Sequence, residues 1–403
     1  MQTPSLRSTP PIWLLVLITI SGTMAMHMFV PALPYAASDL GASIGAMQMT
    51  ISLYIIGLAL GQLIYGPLSD TFGRRPMLMT GLALYTMAGL AAALAPGLHV
   101  LVTARLVQAL GGCAGLALGR AIVRDTAQPE KAVRQLALLN LMMMIGPGLA
   151  PMLGGAIAST LGWRAVFWAL AAIGSITLVF TLRLLPETGR PRGTFSAGRL
   201  ILDYRSLLGS PKFLGFALGG GCTTTSIYAF IATAPFIFTM QLHRPVHEVG
   251  IYLGILMFGM ALGNAITGQL IRRVSIERLL VSGNALSIFG AAALLATILL
   301  GHLSVGAVLC LMFLFTCGAG ISSPAALSKS LGVEPTLVGS AAGLYGFTQM
   351  AVGAACTSFA ALGDQPALTA ATVLTVAVVL GQIGFWIALG RERAVHVGST
   401  GAP

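Results

Sequence analysis

Apolar positions dominate this chain in long runs, and short polar segments interrupt them at regular intervals. About 20 residues are needed for a helix to cross a bilayer, and on that measure the pattern predicts twelve spans. The first six cover residues 12–35, 45–68, 76–96, 98–122, 135–158 and 163–185. The second six cover 213–238, 249–271, 278–300, 303–328, 340–361 and 367–389. Segment 186–212 is the longest polar stretch and divides the chain. It separates an N-terminal six-helix unit (1–185) from a C-terminal one (213–403) that ends in a short tail. The expected fold is therefore an all-α membrane protein of two pseudo-symmetric six-helix bundles. The run from Ile12 passes signal-peptide length without a convincing small-residue cleavage site, and reads as a retained first helix.

Composition agrees with this pattern. Of 403 residues 56% are hydrophobic and 8% charged, with a mean hydropathy of +0.89. Soluble domains carry about 25% charged residues, so too little polar surface is available to face water. Of the 22 Lys and Arg, all but Arg105, Arg164 and Arg244 fall in alternate loops, helix ends on that side, or the tails. The positive-inside rule then puts both termini in the cytoplasm. The net charge of +11 reports topology, because basic residues gathered on no single face argue against a nucleic-acid partner. Cys113, Cys222, Cys310, Cys317 and Cys356 fall in spans without ligand spacing and read as small apolar filler. His99, His243, His247 and His302 lie in outer loops, and no metal site is expected. No loop is long enough for a catalytic domain, and no nucleophile–base constellation appears, so neither an enzyme nor a cofactor is expected.

The halves also repeat. "GPLSDTFGRR" begins at Gly66 and "GQLIRRVSIER" at Gly268, an offset of 202, while Pro31 and Pro235 differ by 204. The second copy lacks the acid and the second glycine of the first.

The first copy, with Gly66, Asp70, Gly73, Arg74 and Arg75, resembles the loop 2–3 signature of the major facilitator superfamily. "RLVQALGG" from Arg105 is similar to its span-four motif, and "GPGLAPMLGG" (Gly146, Pro147, Pro151, Gly154, Gly155) to its antiporter motif in span five. "PALPYAASDLGAS", "RAIVRD" and "GWRAVFW" narrow the resemblance to the Bcr/CflA branch of twelve-helix drug:proton antiporters. The resemblance implies a monomeric multi-pass transporter of the bacterial inner membrane. It would export small-molecule drugs by alternating access, with the proton gradient as its energy source. It also implies that Asp70, Arg74 and Asp125 steady one conformation. By position, Gly66 lets span two approach a neighbouring helix, Asp70 can face the N-terminal end of span eleven near Gly339 to Ala341, and Arg74 and Arg75 can pair with Asp125. An ordinary charged loop that only enforces topology is the other reading.

In span five, Gly146, Ala150 and Gly154 recur every four residues. Gly259 and Gly263 of span eight offer a matching stripe, so a tight seam between the two spans is expected, against simple packing without a coupling role. None of the 11 acids lies deep in a span. Where the family usually has an aspartate ahead of "PALP", this chain has His27. At 1.5 Å per residue, His27 lies about 22 Å along span one and Arg105 about 10 Å into span four from the other face, so their depths are similar. Intramembrane ionisable groups default to functional candidates. Only the histidine titrates near neutral pH. His27 is thus either the proton carrier, with Arg105 beside it, or a neutral histidine donating to a carbonyl freed by Pro31. Asp39 and Asp125 are the fallback sites. Without a carboxylate the pocket suits neutral or weakly acidic amphipathic drugs. Its lining candidates around Arg105 are Phe29, Tyr35, Tyr54, Gln108, Asn140, Met143, Tyr228, Phe236, Tyr345 and Gln349, each of which could instead serve packing. A facilitator or symporter for a small metabolite is the second functional class, and a membrane sensor a third.

Overall fold

The computed structural model describes residues 10–126, 129–189 and 197–400, and every regular element in them is helical. α1 (Ile12–Phe29), a 3-10 turn (Val30–Ala32) and α2 (Leu33–Asp39) make the first crossing. α3 (Ile44–Phe72), α4 (Arg74–Ala93), α5 (Leu98–Thr126), α6 (Pro129–Leu161) and α7 (Trp163–Leu184) follow. After the short α8 (Ala197–Leu208) come α9 (Pro211–Thr224) and α10 (Ile227–Phe236), the latter continued by a π turn (Ile237–Gln241). The chain ends with α11 (Val246–Leu270), α12 (Ile276–Leu299), α13 (Val305–Leu331), α14 (Val338–Ala360) and α15 (Pro366–Thr400). Among the described residues ten helical stretches are long and apolar enough to cross a membrane, counting 12–39 and 211–241 as one each. This is a multi-pass architecture.

The breaks have local causes. Pro31 has no N–H to give to the helix ladder, and the chain passes it as a 3-10 turn before α2 resumes. Pro235 is followed by the π turn that closes α10. Serines cap α3, α9, α12 and α13, each accepting a backbone N–H three residues on. Between α3 and α4 the reversal takes a single residue, Gly73, at φ 98°, a backbone state that side chains rarely adopt. Several helices outrun the apolar spans: α3 continues past 68 to Phe72 and α6 starts at Pro129 rather than 135. Charged and polar residues at the membrane edge continue a helix without adding to its hydrophobic pattern. One element, α8, falls inside the expected linker 186–212.

α3 and α4 pack on α5, α4 on α7, and α1 on α5 and α6. In the later part of the chain α11 and α12 pack on α13, α9 on α13 and α15, and α12 on α15. The two groups meet along α6–α11 and α3–α14. Several buried polar side chains are tied to one another or to backbone. Asn284 donates to the Val378 carbonyl (3.0 Å) and to Gln382 Oε1 (2.8 Å), and accepts from Thr223 Oγ1 (2.7 Å), linking α9, α12 and α15. Such links hold helices together where lipid supplies no hydrophobic force between them.

Candidate transport site

A cavity of about 210 Å³ lies where the two groups of helices meet. α1 contributes Thr23 and His27, α5 Leu116, and α6 Met143 and Pro147. From the other side come Thr224 of α9, Ile227 and Tyr228 of α10, Met257, Met260, Ala261 and Asn264 of α11, and Met350 of α14. Among the described residues its polar groups are two threonines, one tyrosine, one asparagine and one histidine, with four methionines around them and no carboxylate or guanidinium.

His27 is 4% exposed. Its Nδ1 lies 2.9 Å from the Thr23 carbonyl, and its ring centroid 6.3 Å from that of Tyr228. A carbonyl only accepts, so Nδ1 carries the proton, and Nε2 is the acceptor of the neutral ring. The acceptor carbonyl belongs to Thr23, one turn back, and is not one freed by Pro31. The carbonyl that Pro31 leaves without its helical donor is that of His27 itself.

Arg105 turns the other way. It is fully buried among α1, α3, α5 and α7. Nη1 donates to the Ala25 carbonyl (3.0 Å) and to Gln108 Oε1 (2.8 Å). Its guanidinium lies 3.9 Å from the Tyr54 ring centroid, 5.4 Å from Phe29 and 5.7 Å from Phe167. Aromatic faces attract a desolvated cation, and Tyr54 is itself anchored through its hydroxyl to the Gly22 carbonyl at 2.6 Å. Arg105, Phe29, Tyr54 and Gln108 therefore form a closed cluster inside one bundle and do not line the cavity. The Arg105-centred pocket expected from the sequence is corrected to one centred on His27.

The other lining candidates divide. Met143 and Tyr228 reach the cavity. Gln349 and Tyr345 stand behind it: Gln349 Nε2 donates to Thr224 Oγ1 (2.8 Å) and to the Tyr345 hydroxyl (3.2 Å), which positions Thr224. Phe236 is packed in the core and Tyr35 is exposed in the first turn of α2, so neither is a lining residue. The side chain of Asn140 lies outside the described residues. Sequence reasoning missed Met257, Met260, Ala261 and Asn264. Their spacing of three, four and seven residues puts them on one helix face, a signal available in the pattern.

At the end of the molecule bearing the α3–α4 turn, Arg74 is the centre of a charged cluster. It meets Asp70 (2.7 Å), Asp125 (3.0 Å) and the Ser69 hydroxyl. Glu187, which the sequence reading left out, accepts the Arg74 and Arg75 amides at 2.9 and 3.2 Å and so caps α4. Three expectations are corrected here. Arg75 donates to the Leu182 carbonyl (2.8 Å) instead of pairing with Asp125. Asp70, with 59% of its side chain exposed, pairs with Arg74 instead of the α14 N-terminus. That first turn receives Asp203 of α8, through the Ser340 hydroxyl at 3.2 Å. Gly66 faces open space, with nothing within 4 Å of a Cβ built there, so it mediates no close helix approach.

The later half holds a charge-inverted counterpart. Lys329 Nζ bonds Glu277 (2.7 Å) and Glu392 (3.0 Å), joining α12, α13 and α15. Asp125 and Lys329 are 204 positions apart and Arg74 and Glu277 are 203, close to the repeat offset. The acid–base pair that the second copy seemed to lack is present with its polarity exchanged. Lys329→Glu is expected to lower the thermal midpoint of the detergent-solubilised protein by a few degrees, since three acids would then crowd together. Adding Glu277→Lys is expected to recover most of it; a double variant no more stable than the single would disprove the pairing.

Asp39 is bound to Arg164 and to Trp163 Nε1 (3.0 Å), and Arg164 also donates to the Ala95 carbonyl (3.2 Å). Both fallback acids, Asp39 and Asp125, thus sit in ion pairs away from the cavity.

The α6–α11 seam uses a different stripe from the expected one. A Cβ on Gly250 would run into the Pro151 carbonyl, and one on Gly254 would lie 3.1 Å from the Gly148 carbonyl oxygen. Gly155 approaches Val246 (3.5 Å), and Gly154 is pressed against Met28 of α1. Gly146 makes only ordinary contact with Ile20 at 3.8 Å. Gly259 and Gly263 instead face Thr316 and Cys317 of α13. Five residues separate Gly254 from Gly259, a rotation of about 140° around the helix, which turns the second stripe away.

A helical bundle that encloses a small cavity between two halves is the architecture of a membrane transporter. The chain belongs to the Major Facilitator Superfamily, which it matches over residues 15–358. It is 28% identical to "Uncharacterized MFS-type transporter YdgK" of Bacillus subtilis (strain 168), over 94% of this chain and 95% of the relative. It is 28% identical to "Multidrug resistance protein D" of Escherichia coli (strain K12), over 97% and 98%. The fold matches that of a D-xylose–proton symporter at TM-score 0.72, with 14% identity, over 92% of this chain and 96% of that one.

Proposed function

We propose that this chain is a proton-coupled exporter of neutral or weakly acidic amphipathic drugs, of the Bcr/CflA type, working by alternating access. The observation behind this is the cavity: among the described residues it has four methionines, five polar groups, and no carboxylate to hold a permanent cation. Methionine is flexible and polarisable, and surfaces rich in it repack around varied apolar ligands. The name of the E. coli relative, a multidrug resistance protein, points the same way. The coupled proton is assigned to Nε2 of His27, and no cofactor enters the cycle. The Arg74 and Lys329 clusters keep each bundle rigid as the two rock along α6–α11 and α3–α14.

In this reading α6 and α14 also cross the bilayer. The 23 residues of α14 span about 34 Å, enough for a core about 30 Å thick. That makes twelve crossings, with both termini in the cytoplasm of a bacterial cell and the monomer as the working unit in the inner membrane. The second reading, a facilitator or symporter for a small metabolite, is favoured by the same absence of acid among the described lining residues.

A drug-susceptibility panel in a pump-deficient host separates them. Expression is expected to raise resistance to neutral phenicol-like antibiotics well above resistance to quaternary ammonium dyes. Resistance confined to a permanent cation would overturn the selectivity, and resistance to no drug would favour the metabolite carrier.

A further inference from the structure

α8 is apolar on two faces. One faces the protein: Leu207 is buried in a cluster with Phe213 of α9 and Leu344 of α14, Leu63 of α3 packs on that cluster, and Asp203 reaches Ser340. The other faces outward. Ile201 is 63% exposed, Leu202 65% and Leu208 48%, with the exposed Arg205 among them. On a helix, positions 201, 205 and 208 fall on one stripe and 202 borders it.

A water-facing surface of this kind would be a liability in a linker. Its place in the fold indicates what covers it. Only Gly209 and Ser210 separate α8 from α9, which begins a crossing at Pro211 with Lys212 in its first turn. α8 therefore lies at the membrane edge, and its outward stripe continues the lipid-facing surface of the bundle. A helix with an apolar stripe and basic residues at that height binds in the interface, with its cations among anionic headgroups.

We propose that α8 lies on the bilayer surface, inserts Ile201, Leu202 and Leu208 at the headgroup boundary, and places Arg205 and Lys212 against anionic lipid. Its inner face rests on α14 and on Leu63 of α3, so lipid composition acts on the seam between the halves.

The test uses the full chain with Cys310, the one exposed cysteine among the described residues, changed to alanine. A spin label is placed at Ile201→Cys, and at Thr336→Cys in the α13–α14 turn as an aqueous reference. Accessibility to oxygen and to a water-soluble nickel chelate is read in phosphatidylcholine vesicles with and without phosphatidylglycerol. The label at 201 is expected to favour oxygen and exclude nickel, more so with phosphatidylglycerol, and Arg205→Ser is expected to remove that increment. Nickel access at 201 equal to that at 336 overturns the proposal. So does a depth indifferent to phosphatidylglycerol, or a label shielded from both reagents in native membranes but open in vesicles, which would indicate a protein partner. None of these readings depends on which substrate is carried.

Discussion

Export by His27→Ala is expected to proceed, if at all, without dependence on the pH gradient, and drug-induced proton release from energised vesicles should fall to the background of empty ones. The proposed coupling needs a titratable group that meets each side of the membrane in turn, and among the described lining residues His27 supplies the imidazole. Its Nδ1–H is held by the Thr23 carbonyl at 2.9 Å, which orients the ring and leaves Nε2 to take and release the proton. Arg105 does not serve, because a guanidinium does not lose its proton and this one is enclosed on the far side of α1. Asp39 and Asp125 are engaged with Arg164 and Arg74. His27→Gln, polar without titrating, should be as uncoupled as the alanine variant. His27→Asp restores the residue usual in the resembled family and should keep coupling, with an altered pH profile and new tolerance for cationic drugs. Undiminished proton release from both His27→Ala and His27→Gln would return the histidine to a packing role and move the search to Asp39 and Asp125.

Gly154→Val is expected to cost the transporter its activity, whereas Gly66→Ala should leave it close to unchanged. Both glycines belong to motif-like segments, and sequence alone ranks them equally. At Gly154 a Cβ would lie 2.6 Å from the carbonyl carbon of Met28, a backbone atom that moves only if α1 moves. Overpacking of this kind typically costs about 1–3 kcal/mol. Here it would also displace the turn of α1 that carries His27, so transport should suffer more than the thermal midpoint does. At Gly66 the added methyl meets nothing within 4 Å. Transport rates and melting midpoints of the two purified variants check this. A Gly66→Ala variant as impaired as Gly154→Val would show that the loop glycine acts in a conformation with different packing.

Much of this protein was legible from residue order. Membrane character, multi-pass layout and superfamily follow from hydropathy and a few short motifs, because a bilayer demands long apolar helices and loop signatures are local in sequence. His27 also stood out by sequence alone, since an ionisable side chain in an apolar run needs no structure to be noticed. What the pattern could not decide is direction around a helix axis. Arg105 and His27 sit at similar depth, yet one is stacked on Tyr54 inside a bundle and the other opens onto the cavity. Gly254 and Gly259 belong to one helix, and only the first meets α6. The partners of Arg75 and Ser340 were likewise set by which segments the fold brings together. Residue order determined what enters the membrane and which groups are chemically unusual there, because both depend on local composition. Tertiary packing alone decided which of those groups meet one another, because helix rotation is settled by contacts between residues on different helices, far beyond the reach of local sequence.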